Sequence, residues 1–125
     1  MYVDSHQHFW KLSRGDYSWM SNEYTALFRD FSTDDLKPLI NQKNISKTII
    51  VQAADTISES EFILDIASKT EFVTGVVGWV DFENKNVKND IDKLSDNSYL
   101  KGFRPMIHDI EDINWMLKKE LEDGL

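Results

Sequence analysis

The stretch KTIIVQAADTISESEFILDIASK (Lys47–Lys69) decides the fold class. Its first part, Lys47 to Ala54, is short, almost continuously apolar and rich in β-branched residues, which predicts a strand covered on both faces. In the second part Phe62, Ile63, Ile66 and Ala67 recur at helical spacing, and Ser58 and Glu61 have the spacing of a capping box, so a helix is expected. A strand feeding a helix is a βα unit, and the unit repeats on both sides. Upstream, MYVDSH reads as a strand; after a long connection from Phe9 to about Ser32, TDDLKPLINQKN reads as a helix with Leu36, Leu39 and Ile40 on one face. Downstream, EFVTGVVGWVD and YLKGFRPM supply a third and fourth strand, separated by NVKNDIDKLSD, whose Val87, Ile91 and Leu94 share a side; INWMLKKELEDGL starts another helical segment. Alternating strands and helices predict an α/β protein with a parallel sheet and right-handed crossovers.

The bulk composition narrows what such a chain does. At 125 residues, 41% hydrophobic and 12% aromatic, it is sized for one domain and is too apolar for disorder. The net charge of -8, from 22 acidic and 14 basic residues, argues against nucleic acid and anionic membrane surfaces as partners. There is no cysteine, so thiolate metal sites, disulfides and cysteine nucleophiles are excluded, and any metal must use His, Asp, Glu or water. No apolar run approaches the roughly 20 residues of a membrane helix, and the amino terminus lacks the pattern of a secretion signal. A soluble, cytoplasmic chain is the expectation, with no repeat or Pro/Gly-rich linker to mark an internal boundary.

In parallel sheets functional groups gather at the carboxyl ends of the strands. The four strand exits carry His6 and His8, Gln52, Trp79 with Asp81, and Arg104. In DSHQHFW (Asp4–Trp10), alternation along a strand places Asp4, His6 and His8 on one side and Val3, Ser5 and Gln7 on the other. Two neutral imidazoles on one side can reach a divalent ion at about 2.0–2.1 Å, but a catalytic zinc generally takes three protein ligands and a water. His108, just beyond the fourth strand, is the third histidine that folding could bring near. A bare His-x-His is more often a surface or satisfied core pair; its place after the first strand of a βα chain, with Asp4 preceding it on the same parity, favours function.

Five blocks occur together and in order: DSHQHFW, the YSW of Tyr17–Trp19 with FRDF, VQAA, GVVGWVDF, and LKGFRPMIHDIEDINWML. Jointly they resemble the sugar-lactonase branch of the amidohydrolase-related proteins, nearest to fuconolactonase-like enzymes, with 2-pyrone-4,6-dicarboxylate hydrolase more distant. The resemblance implies a (β/α)8 barrel that opens a lactone ring by adding water, and a small-molecule sugar lactone as substrate. It implies that His6 and His8 are the catalytic pair and bind a divalent metal, zinc, or in a metal-free member polarise the carbonyl directly. Arg104 would hold a substrate oxygen, and Gln52, Trp79 and Asp81 would line the pocket, with capping of the following helix or holding of Arg104 as the alternatives for Asp81. Tyr17 and Trp19, in the first connection, are candidates for stacking on a sugar face. Asp4 is expected to orient an imidazole rather than bind. His108 stands where close relatives are expected to have glutamine.

A (β/α)8 barrel takes about 250 residues, so residues 1–125 are expected to form part of such a domain, about four βα units in strand order 1-2-3-4, truncated at the carboxyl end. The family's later histidines and its aspartate general base are then expected from elsewhere, and loss of acid–base help is worth about 10² to 10⁴ in rate. The competing readings are an inactive half barrel that works by assembling with another chain or with itself through its open sheet edges, and a compact binding module in which the His pair is a surface feature. Strand order separates the last from the barrel.

Overall fold

The computed structural model describes residues 1–124. Four strands, β1 (Tyr2–Gln7), β2 (Ile45–Val51), β3 (Val73–Gly78) and β4 (Leu100–Phe103), form one parallel sheet in the order β1-β2-β3-β4. Helices α1 (Thr33–Gln42), α2 (Ile57–Lys69) and α3 (Val87–Ser95) fill the three connections. The consecutive order is that of an arc of a barrel and excludes the doubly wound alternative.

The helices cover one face of the sheet. Phe9, Ile50, Ile63, Leu64, Ala67 and Val76 are buried there in one cluster that continues through Val80, Phe82, Val87 and Leu94. A second cluster lies over the strand exits, where Trp10, Tyr17, Ala53 and Ala54 are buried with Leu12, Trp19, Met20 and Phe31 packed around them. The long first connection is therefore an ordered cap, pinned at its ends by the Trp10–Phe31 bridge.

Several expectations shift. The α2 cap is Thr56, whose hydroxyl accepts from the Glu59 amide at 2.9 Å, two residues before the expected Ser58. Glu59 thereby moves to the buried side of the first turn. In α1, Leu36 and Ile40 face inward one turn apart, while Leu39 is 58% exposed. The segment after Ile113 forms short 3₁₀ turns at Trp115–Leu117 and Lys119–Leu121 instead of a helix. Trp115 and Leu121 are both buried; six residues apart on a continuous α-helix they would lie about 120° apart around the axis, and the two tight turns bring both to the core.

The opening strand also departs from simple alternation. Asp4 aligns with Thr48 and Gln7 with Ile50, so three steps along β1 match two along β2. The extra residue is a bulge that reverses the face between Asp4 and Gln7. Asp4 accordingly does not share a side with His6 and His8. Its carboxylate accepts the His6 backbone amide at 3.1 Å, which stabilises the bulge and leaves both imidazoles untouched.

Candidate active site

Gln7 and Phe9 are buried on the helix-covered side, Gln7 donating to the Thr48 hydroxyl at 3.3 Å. His6 and His8, flanking Gln7, take the open side, with ring centroids 4.9 Å apart and planes at 78°. Two nitrogens bound to one ion at about 2.0–2.1 Å lie no more than about 4.2 Å apart, so rings this close fit a shared ion. His8 Nδ1 lies 2.8 Å from the Val51 carbonyl. A carbonyl only accepts, so Nδ1 carries the hydrogen and Nε2 of the neutral ring keeps its lone pair. Burial pulls the His8 pKa below its ordinary value, with the charges of His6 and Arg104 adding to the effect against the raising influence of the Val51 bond. The ring is therefore neutral near pH 7 and available as a ligand or proton acceptor.

Arg104 follows β4, its amide bound to the Gly78 carbonyl at 2.9 Å. Its guanidinium is locked onto Gln52 just past β2: Nε donates to Oε1 at 3.1 Å and Nη2 to the backbone carbonyl at 2.9 Å and to Oε1. Gln52 is fully buried and turns its amide toward the Ala54 carbonyl. Among the described residues no carboxylate pairs with Arg104, and Asp81 does not hold it. Desolvation lowers the Arg104 pKa, and a guanidinium nevertheless keeps its charge. The result is a fixed cation with unspent donors at the edge of a cleft.

That cleft, about 240 Å³, is lined by His8, Trp10, Trp19, Ala53, Arg104, Met106 and His108. Larger concavities, including one of about 500 Å³ at the opposite end of the strands around Ile45 and Phe72, lack this chemistry. Trp19 donates its indole N–H to the Ala53 carbonyl at 2.6 Å and meets Trp10 edge to face at 5.7 Å. Trp79 and Asp81 line an adjoining groove of about 160 Å³, joined to the cleft through Met106. There the Trp79 amide and carbonyl both bond the Ser60 hydroxyl at 2.7 Å, and Asp81 accepts the Glu83 amide at 3.0 Å, closing its own turn.

Tyr17 is set apart from the cleft. Its ring is buried and its hydroxyl donates to Glu59 at 3.0 Å. Burial and then the neighbouring Glu59 carboxylate raise its pKa. His108 reaches the cleft but is exposed, with Nε2 3.4 Å from Asp109. Among the described residues no three His, Asp or Glu side chains converge as a metal site, so the donor set fits two ligands of a divalent ion and lacks the third. Sequence reading passed over Trp10, Met106 and Glu59. The first is half of a visible aromatic pair, but the others carry no signal without the fold.

No family model matches the chain. The L-fucono-1,5-lactonase of Burkholderia ambifaria is 37% identical over 123 residues, covering 98% of this chain and 42% of that protein. The L-fucono-1,5-lactonase of Burkholderia multivorans is 32% identical over 111 residues, covering 89% of this chain and 37% of that protein. The crystal structure of a Burkholderia multivorans amidohydrolase with bound HEPES superposes with a TM-score of 0.90 at 30% identity, over 99% of this chain and 43% of that one. The chain is amidohydrolase-like in sequence and fold. A second crystal structure from Burkholderia multivorans, described with bound zinc, gives a TM-score of 0.88 at 29% identity over 99% of this chain and 44% of that one. The amidohydrolase-like chain thus spans about two fifths of the length of the relatives it matches, and its four-stranded arc corresponds to part of a (β/α)8 barrel.

Proposed function

We propose that the chain supplies the first-strand imidazole pair and the anion-holding wall of a hydrolase that opens a sugar-acid lactone. The observation that carries the reading is Arg104, a cation without a carboxylate partner, clamped by the buried Gln52 beside the neutral His8. In lactone opening, water adds to the ester carbonyl, the ring C–O bond breaks, the ring oxygen takes a proton and a carboxylate appears. Negative charge develops at the former carbonyl oxygen and stays on the product, and a preorganised guanidinium stabilises it at both stages. The lone pair of His8 Nε2 faces that chemistry with its tautomer fixed by Val51. His6 and His8 would hold a divalent ion, zinc by donor type, and such an ion when bound polarises a carbonyl and acidifies water. Trp19 offers an apolar wall for the sugar ring, with Gln52 and Tyr17 as supports, and Trp79 and Asp81 meet substituents in the adjoining groove.

The relatives' greater length supports placing residues 1–125 as part of one barrel domain, with the third ligand and the general base carried on other strands. A second reading, assembly of this part with another chain, is favoured by the exposure of Tyr2 and Val3 on the open edge strand β1.

The test is hydrolysis of L-fucono-1,5-lactone followed with a pH indicator, alongside zinc content after dialysis, in the wild type, the His6→Ala/His8→Ala double variant and Arg104→Lys. Lysine keeps the charge but loses the fork. Zinc retained by the wild type and lost from the double variant, with weaker binding of the product acid by Arg104→Lys, is the expected result. Equal zinc in both chains overturns the ligand role, and unchanged product binding overturns the role of Arg104. Size-exclusion chromatography decides assembly, a monomer counting against it.

A further inference from the structure

A buried carboxylate below the cleft has no part in the chemistry above, yet one of the groups it binds, Ala53, lines that cleft. Glu59, in the first turn of α2, is fully inaccessible to solvent. Its Oε1 accepts the Ala53 amide at 3.0 Å and its Oε2 accepts the Tyr17 hydroxyl at 3.0 Å, with Arg14 Nη2 3.5 Å away. All are donors, the pattern of an ionised carboxylate. The opposite side of the same residue, the Ala53 carbonyl, accepts the Trp19 indole N–H. Ala53 is thus gripped on its amide by helix α2 and on its carbonyl by the capping connection, one residue after the Gln52 that holds Arg104. Arg14 and Asp16 pair with each other, and Asp16 accepts the Thr56 hydroxyl at 2.9 Å, so the connection is tied to the helix start a second time.

We propose that Glu59 is a positioning residue for Trp19: by length and reach its carboxylate fixes the Ala53 peptide, and the Ala53 carbonyl fixes the indole that forms the cleft wall. The proposal gives the cleft a rigid wall set from beneath, and for the substrate it rests on the lactone reading. A desolvated ion pair with Arg14 would need charge at position 59. The positioning role needs an acceptor oxygen at the right distance. The two demands come apart in two substitutions. Glu59→Gln keeps the length and the acceptor while losing the charge; Glu59→Asp keeps the charge and falls one methylene short.

The readout is the exciton band expected in circular dichroism from the Trp10–Trp19 pair, edge to face at 5.7 Å, with Trp19→Phe as the zero. The band survives in Glu59→Gln and is lost in Glu59→Asp if reach is what matters. A band kept at full strength in Glu59→Asp, or lost as fully in Glu59→Gln, overturns the proposal. Should Glu59→Asp not fold, Tyr17→Phe decides, because it removes the donor that orients the carboxylate: a weakened band supports the proposal and an unchanged one overturns it. Quenching of Trp fluorescence by L-fucono-1,5-lactone is recorded on the same samples. If the lactone quenches neither the wild type nor Trp19→Phe, the lactone reading fails, while the dichroism still decides the role of Glu59.

Discussion

On the helix-covered face of the sheet Phe9, Ile50, Ile63 and Val76 are sealed under α2 with at most 1% of their surface exposed. On the open face His6 and the rim residues Asp81 and His108 remain exposed. Between the two, Gln52 and Glu59 are as buried as the core yet polar, and each is spent on holding something: a guanidinium, a peptide, a tyrosine hydroxyl. Stability and chemistry are thus separated by face, and the polar groups at their boundary convert core rigidity into fixed geometry at the cleft. Rim groups bonded only within their own turns have no such support.

The sharpest way to break the comparison is through the sealed face. Ile63→Ala should destabilise the chain by about 2–5 kcal/mol in urea unfolding, as expected for a large-to-small change in a packed core, with the cleft affected only through loss of the fold. At the boundary, Gln52→Ala removes the side-chain acceptor of Arg104, leaving only the backbone carbonyl, and should cost about 1.5–3 kcal/mol, the scale of a hydrogen bond to a charged group. Unlike Ile63→Ala, it should also weaken binding of a sugar acid while the protein remains folded. A stability loss from Gln52→Ala without any change in binding would dissolve the boundary class.

The His8 ring gives a gentler test. Its pKa in the folded chain lies below the ordinary value of 6.5. Between those two pH values the folded state binds fewer protons than the unfolded one, so stability rises with pH through that window and falls on acidification. NMR titration should find the depressed value, with the hydrogen on Nδ1 in the neutral form. An ordinary pKa with the other tautomer would deny the Val51 bond its role. Smallest of all, Asp81→Ala and His108→Gln on the rim should each change stability by less than about 0.5 kcal/mol; a rim variant as costly as Gln52→Ala would erase the distinction.

Which of these features were readable in advance follows from the range of the forces involved. The βα rhythm, the parallel sheet and the shared side of Val87, Ile91 and Leu94 are periodicities of burial, and a chain that folds must write them locally. The placement of His6, Gln52 and Arg104 at strand exits follows from that rhythm. The cap of α2 lies two residues before the expected Ser58 because Thr56 caps as well, and only the burial of Glu59 selects between them. The face of Asp4 departs from simple alternation because a bulge depends on the register of the neighbouring strand.

The sequence alone determined that this is an α/β chain of consecutive βα units, acidic and without cysteine, with an imidazole pair leaving its first strand, since residue spacing and composition are intrinsic to the chain. Only the tertiary structure decided that Gln52 grips Arg104 across 52 positions, that Glu59 lies beneath Ala53 and Tyr17, and that Asp4 turns away from the histidines. Those are contacts between side chains far apart in sequence or set by a neighbouring strand. Their partners are chosen by which groups lose water together when the sheet closes.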